Sequence, residues 1–179
     1  MRILLHSCCG PCSVAPIEKL IADGHDAAIF FYNPNIHPYK EYLARLDAWL
    51  QLAGHYDLPY MLKDDYSLEK WLAQVAPDPE NRCAYCYEIR LAEAAKEAKK
   101  AGYDAFSTSL LISPYQKHEL IRQIGEKEAK KQGISFYYED WRPLFCAGQQ
   151  KARQLGLYMQ KYCACIYSEK ERYYKKQVK

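Results

Sequence analysis

A short apolar run, Arg2-Ile3-Leu4-Leu5-His6-Ser7, breaks at once into Cys8-Cys9-Gly10-Pro11-Cys12, and Ser13 to Ala22 then carries a helical pattern. Such a run reads as a buried strand, so three thiols occupy the turn between a first strand and a first helix. In open α/β folds that turn faces the ligand crevice at the carboxyl ends of the strands. A helix amino terminus also stabilises thiolate, the form that attacks and that binds metal. Buried structural cysteines have no need to gather in a loop. The crowding therefore points to chemistry rather than to packing.

The rest of the chain alternates. A second strand spans His25–Tyr32 and ends in a loop held by Pro34 and Pro38. Leu43, Leu46, Leu50 and Ala53 recur at helical spacing within Tyr39–Gly54. Leu58–Leu62 reads as a third strand and Leu68–Val75 as a short helix closed by Pro77 and Pro79. A long Ala-rich helix runs from Arg82 to about Ala101, and Tyr103–Thr108 is a fourth strand. Ser113-Pro114 reads as the cap of a helix reaching about Gln132, and Ile134–Tyr138 is a fifth strand. This alternation predicts a Rossmann-like parallel sheet with helices on both faces. From Glu139 onward Gln, Lys, Arg and Tyr become frequent and no strand is evident. Residues 1–139 are thus expected to form the α/β unit. Residues 140–179 read as a helical C-terminal appendage of the same domain that returns over the site.

At 179 residues, 49% hydrophobic and 26% charged, the chain fits a single domain with a real core. It has no apolar run long enough for a membrane span and no signal peptide, so a cytoplasmic location is expected. In that compartment eight cysteines mean metal or redox chemistry rather than staples. Seven of them group as Cys8/Cys9/Cys12, Cys83/Cys86 and Cys163/Cys165; Cys146 stands alone. Four thiolates from two loops suit a zinc ion or an iron–sulfur cluster. The Cys8-Cys9 doublet is awkward for one tetrahedral ion and favours the cluster. Cys163 and Cys165 would close a very small, strained and easily reduced ring, suited to an electron relay. Further metal ligands or idle thiols remain equally open for them on spacing alone.

Three rival readings share these residues. Cys9-Gly10-Pro11-Cys12 is the tetrapeptide of a thioredoxin-like dithiol enzyme, but no Trp precedes it and four other paired cysteines are left over. A nucleotide-binding strand–loop–helix would cradle phosphate on backbone amides, yet this loop is filled with thiols and holds one Gly. A zinc-stapled RNA-binding module is the non-enzymatic alternative.

Five stretches in combination resemble the cobalamin-independent epoxyqueuosine reductases. They are His6-Ser-Cys-Cys-Gly-Pro-Cys-Ser13, Tyr32-Asn-Pro-Asn-Ile-His37, Arg82-Cys-x-x-Cys-Tyr-x-x-Arg-Leu91, Ser113-Pro-Tyr-Gln116, and Asp140-Trp-Arg-Pro-Leu-Phe145 through Tyr162-Cys-Ala-Cys165. Ala164 stands where that family has Gly. The resemblance implies an oxidoreductase with an adenine-nucleotide α-hydrolase-like fold that deoxygenates the epoxide of epoxyqueuosine in tRNA, giving queuosine. It implies a [4Fe-4S] cluster on Cys8, Cys9, Cys83 and Cys86, and a redox-active disulfide between Cys163 and Cys165. Cys12, left over from the cluster, becomes a candidate ligand for an additional iron ion. Asp64, Asp65 and Asp140 are candidate oxygen ligands whose ordinary alternative is helix capping. The partners are then tRNA carrying epoxyqueuosine and an unidentified electron donor, with no membrane. Lys151, Arg153, Lys161, Lys170, Arg172, Lys175, Lys176 and Lys179 interleave with Tyr158, Tyr162, Tyr167, Tyr173 and Tyr174, as a single-stranded ligand requires. His6, His37, Arg90 and Tyr115 are candidates to touch the base, with packing or capping as their alternative.

Overall fold

The structure is a computed structural model and describes residues 1–163 and 165–174. Ala164 and the basic residues Lys175, Lys176 and Lys179 lie outside the described residues.

Strand β1 (Arg2–His6) is followed by α1 (Gly10–Ala22), β2 (Asp26–Phe31), α2 (Tyr39–His55) and β3 (Tyr60–Leu62). Next come α3 (Leu68–Val75), α4 (Arg82–Lys100), β4 (Ala105–Thr108), a 3-10 turn (Ser109–Ile112), α5 (His118–Gln132) and β5 (Ser135–Phe136). A second 3-10 turn (Arg142–Leu144), α6 (Phe145–Gln154) and α7 (Ile166–Tyr173) complete the described chain. The five strands are parallel in the order β3-β2-β1-β4-β5. Central β1 is apolar on both faces because both are covered: Ile3, Leu4 and Leu5 are fully buried. Leu5 pairs with Ile29 on one side and Ser107 on the other.

The winding explains where ligands can sit. The chain runs outward from β1 to β3, then crosses to β4 and runs outward the other way. Right-handed crossovers therefore put α1 and α2 on one face and α4 and α5 on the other. α1 packs against α2 and α6, and α4 against α5. The winding reverses between β1 and β4, so the loops after those two strands flank a crevice.

Two glycines let helices approach. A Cβ on Gly10 would stand 2.8 Å from the Ala48 carbonyl oxygen of α2, and one on Gly148 would stand 2.9 Å from the Ala15 Cβ of α1. These close approaches bring α2 and α6 against the thiol-bearing helix.

Two helix starts differ from expectation. α1 begins at Gly10, not Ser13, because Pro11 is tolerated in the first helical turn, where its missing N–H is unpaired anyway. The helix after Ser113-Pro114 begins only at His118. Those residues instead form a turn, with the Gln116 N–H bonded to the Ser113 carbonyl at 3.3 Å. No strand follows β5 among the described residues.

Candidate functional site

The loop after β1 is tied to both neighbouring strands. The Ser7 N–H continues the β2 ladder to the Phe30 carbonyl at 2.8 Å. The Cys8 N–H donates to Ser109 Oγ at 3.0 Å, just past β4. Asn33 Nδ2 donates to the Ser7 carbonyl at 2.9 Å, and Asn33 Oδ1 accepts from Arg90 Nη2 at 2.7 Å. Cys9 is the extended residue preceding α1, and Ser13 Oγ donates back to its carbonyl at 2.8 Å.

This geometry converges three thiols. The sulfurs of Cys8, Cys9 and Cys12 lie within 4.8 Å of one another, with Cys8 and Cys9 3.7 Å apart. Their protons are unequally held. The Cys8 thiol is well below its usual range because Cys12 and Cys9 hydrogen-bond to it, with the Arg90 charge and Ser109 Oγ (3.4 Å) helping. Cys12 is pushed up by the same bonding to Cys8 and Cys9, and Cys9 chiefly by burial. One thiolate is thus stabilised by two thiol donors, a soft and compact donor set suited to thiophilic metals.

Cys83 and Cys86 open α4 and do not join that tight triad among the described residues. Burial pushes both up, Cys86 to about 11. Arg90, one helical turn on, places Nη1 3.7 Å from Cys86 Sγ while its other arm holds Asn33. The guanidinium therefore links the two cysteine groups.

The C-terminal segment does return over this loop. Gln160 Nε2 lies 2.8 Å from Cys9 Sγ and 4.0 Å from Cys12 Sγ. Cys163 lines a narrow cavity with Cys8, Cys9, Asn35, Arg45 and Gln160. Gln116 Nε2 donates to Cys163 Sγ at 2.9 Å, and Ser113 Oγ lies 3.8 Å away. Tyr162 anchors the segment: its hydroxyl donates to the His37 carbonyl at 2.7 Å, its own carbonyl accepts from Arg45 Nη2 at 3.1 Å, and Arg45 covers its ring. Cys165 faces elsewhere, buried with Trp71 and Val75 and close to Arg82. Cys146 is exposed at the start of α6.

The other sequence candidates divide. His6 is fully buried; its Nε2 donates to the Tyr32 carbonyl at 3.2 Å, which leaves Nδ1 to accept from Thr108 Oγ1 at 2.9 Å. Burial, aided by Arg90, lowers it to about 3, so it is a neutral link between β1 and β4. His37 is buried between Tyr66 and Trp71 and packs there. Tyr115 is 74% exposed. Asp64 accepts from the Tyr42 hydroxyl at 2.7 Å and Asp65 from Ser67. Asp140 accepts from the Arg142 N–H and pairs with its guanidinium, which holds its carboxyl down at about 2. All three acids make local bonds of this kind, and none of them caps a helix. Among the tyrosines, Tyr158, Tyr173 and Tyr174 are exposed, with Arg172 over Tyr173 and Lys170 over Tyr174. Sequence reasoning missed Arg45, Asn35 and Gln160. Only the spacing of Gln160, three residues before Cys163, could have drawn notice.

The sequence profile of the family described as epoxyqueuosine reductase QueH matches residues 3–171. The chain belongs to that family. It is 35% identical over 172 residues to the epoxyqueuosine reductase QueH of Dehalococcoides mccartyi, covering 96% of this chain and 94% of the relative. The QueH of Thermotoga maritima is 35% identical over 180 residues, covering 95% and 91%, and that of Haemophilus influenzae 34% over 177 residues, covering 93% and 71%. QueH proteins are reductases, and this chain is accordingly an oxidoreductase. Among solved structures, a predicted subunit of tRNA methyltransferase from Methanocaldococcus jannaschii superposes with a TM-score of 0.53 at 15% identity, covering 87% of this chain and 75% of that one. A deacetylase from teicoplanin biosynthesis also gives 0.53 at 12% identity, covering 87% and 83%. These two likenesses speak for the shared parallel α/β fold alone.

Proposed function

We propose that this QueH-family chain reduces epoxyqueuosine to queuosine within tRNA in the cytoplasm, using a [4Fe-4S] cluster on Cys8, Cys9, Cys83 and Cys86. The observation that carries the reading is the convergence of Cys8, Cys9 and Cys12, with Cys163 lining the same cavity. The donor set fits such a group: it is all sulfur, partly desolvated and bordered by the buried Arg90. When bound, an iron–sulfur cluster supplies electrons one at a time, and an adjacent iron, with Cys12 as a candidate ligand, would polarise the epoxide C–O bond.

The chain's own residues supply the rest. Deoxygenation consumes two electrons and two protons, breaks both epoxide C–O bonds, forms the alkene and releases one water. Oxidation of the Cys163/Cys165 dithiol to a disulfide yields that same count, and an electron donor of unidentified nature then restores the dithiol. Gln116 and Ser113 orient Cys163 toward the cavity. Arg82 and Trp71 border Cys165 on the other side of the segment. Exposed Tyr158, Tyr173 and Tyr174 with Lys170 and Arg172 offer stacking faces and phosphate contacts for an anticodon loop.

The test is iron, zinc and acid-labile sulfide on anaerobically purified protein, followed by turnover on tRNA carrying epoxyqueuosine, read by mass spectrometry of the nucleosides. About four irons with matching sulfide are expected. Cys163→Ser and Cys165→Ser should keep that metal and lose multiple turnover. Zinc without sulfide would overturn the reading in favour of a stapled RNA-binding module.

A further inference from the structure

The segment carrying Cys163 also carries Gln160, whose carboxamide has no evident packing purpose. Its Nε2 points at Cys9 Sγ at 2.8 Å and lies 4.0 Å from Cys12 Sγ, while its Oε1 is buried without a partner among the described residues. A half-buried amide that leaves its own acceptor unpaired is costly unless its donor meets a strong acceptor. A metal-bound thiolate is such an acceptor. Cys9 is 1% exposed, so water does not compete for that sulfur.

We infer that Gln160 is a positioning residue that raises the reduction potential of the metal group held by Cys9. This rests on the proposed thiolate-bound cluster. An N–H donor stabilises whichever redox state carries more negative charge on sulfur, which is the reduced one. Removing the donor therefore makes the cluster harder to reduce. Gln160 reaches Cys9 only because Tyr162, two residues on, is pinned to His37 and Arg45. The segment that brings Cys163 to the cavity thus also sets the potential of the group held there. The two redox partners are matched only while the segment is docked.

The experiment compares wild type, Gln160→Leu and Gln160→Glu, all purified anaerobically. Iron and sulfide are measured first, then the cluster midpoint potential by spectroscopically monitored redox titration. Equal iron and sulfide in all three are expected, with both variants more negative than wild type by at least a tenfold change in the one-electron equilibrium, about 59 mV. An unchanged potential at equal metal content overturns the inference and leaves the reductase reading intact. Loss of iron from the variants alone makes Gln160 a structural support and also overturns it. Wild type without iron and sulfide overturns the cluster reading, and the inference falls with it.

Discussion

Single residues here act through approaches too close to tolerate change. Gly10 leaves no room for a methyl group against the Ala48 carbonyl, which is backbone and cannot swing away. Gly10→Ala should cost about 1–3 kcal/mol by overpacking, measured by chemical denaturation, and should loosen the α1–α2 packing beneath the thiols. Cys12→Ala tests whether the third thiol of the triad holds metal. Loss of one iron per chain with cluster sulfide retained is the expected outcome, read by metal and sulfide analysis. His37 gives a pH prediction. Burial lowers its pKa from the ordinary 6.5 to about 4. Between those values the unfolded chain binds a proton that the folded chain refuses, so stability is full above about 6.5 and is lost as pH falls toward 4. Denaturation of wild type and His37→Phe across that window should show a slope smaller by up to one proton in the variant.

At the scale of elements, the sheet was legible wherever strands are buried on both faces. β1 and β2 read directly from Ile3-Leu4-Leu5 and Ala27–Phe31, and α3 matched its expected span. The edge strands β3 and β5 are shorter than their apolar runs suggest, because an edge strand pairs on one side only: β3 over Tyr60–Leu62 and β5 over Ser135–Phe136. Ser113-Pro114 misled because a Pro suits a turn as well as a helix start. The Cys8/Cys9/Cys12 group was legible in sequence, but its partners were not, nor was the parting of Cys163 from Cys165. Arg45 on α2, Arg90 on α4 and Gln160 near α6 meet only through tertiary packing. The 155–163 segment yields an element-level prediction. Tyr162→Phe removes the bond to the His37 carbonyl and keeps the ring under Arg45. It should cost roughly 1 kcal/mol, seen as faster limited proteolysis after α6, with turnover reduced and metal content unchanged.

On the scale of the whole molecule, the winding reversal at β1 and β4 determines which residues can share a site. Loops after those strands, Arg90 of α4 and the returning C-terminal segment all reach one crevice. No described helix is long and apolar enough to cross a membrane. The net charge is only +3, so whole-molecule attraction to nucleic acid is weak and binding must rest on local groups. For the proposed tRNA substrate, affinity should fall steeply with added salt. Replacing Lys170 and Arg172 together by Ala should flatten the logarithmic salt slope by about 0.7 for each phosphate that is no longer neutralised, as read by filter binding. A slope unchanged by the double substitution would place the tRNA elsewhere.

The central position of β1 has a consequence during synthesis. Its partner β2 follows about twenty residues later, but β4, which leads into the Ser109 that meets Cys8, lies a hundred residues downstream, and Gln160 a further fifty. At ~5–20 residues per second, the nascent chain carries Cys8, Cys9 and Cys12 for several seconds before their cradle exists. Throughout that interval the thiols are open to oxygen and to stray metal ions. For the proposed cluster, loading then becomes a matter of timing, set between the emergence of β4 and the docking of the segment bearing Gln160 and Cys163.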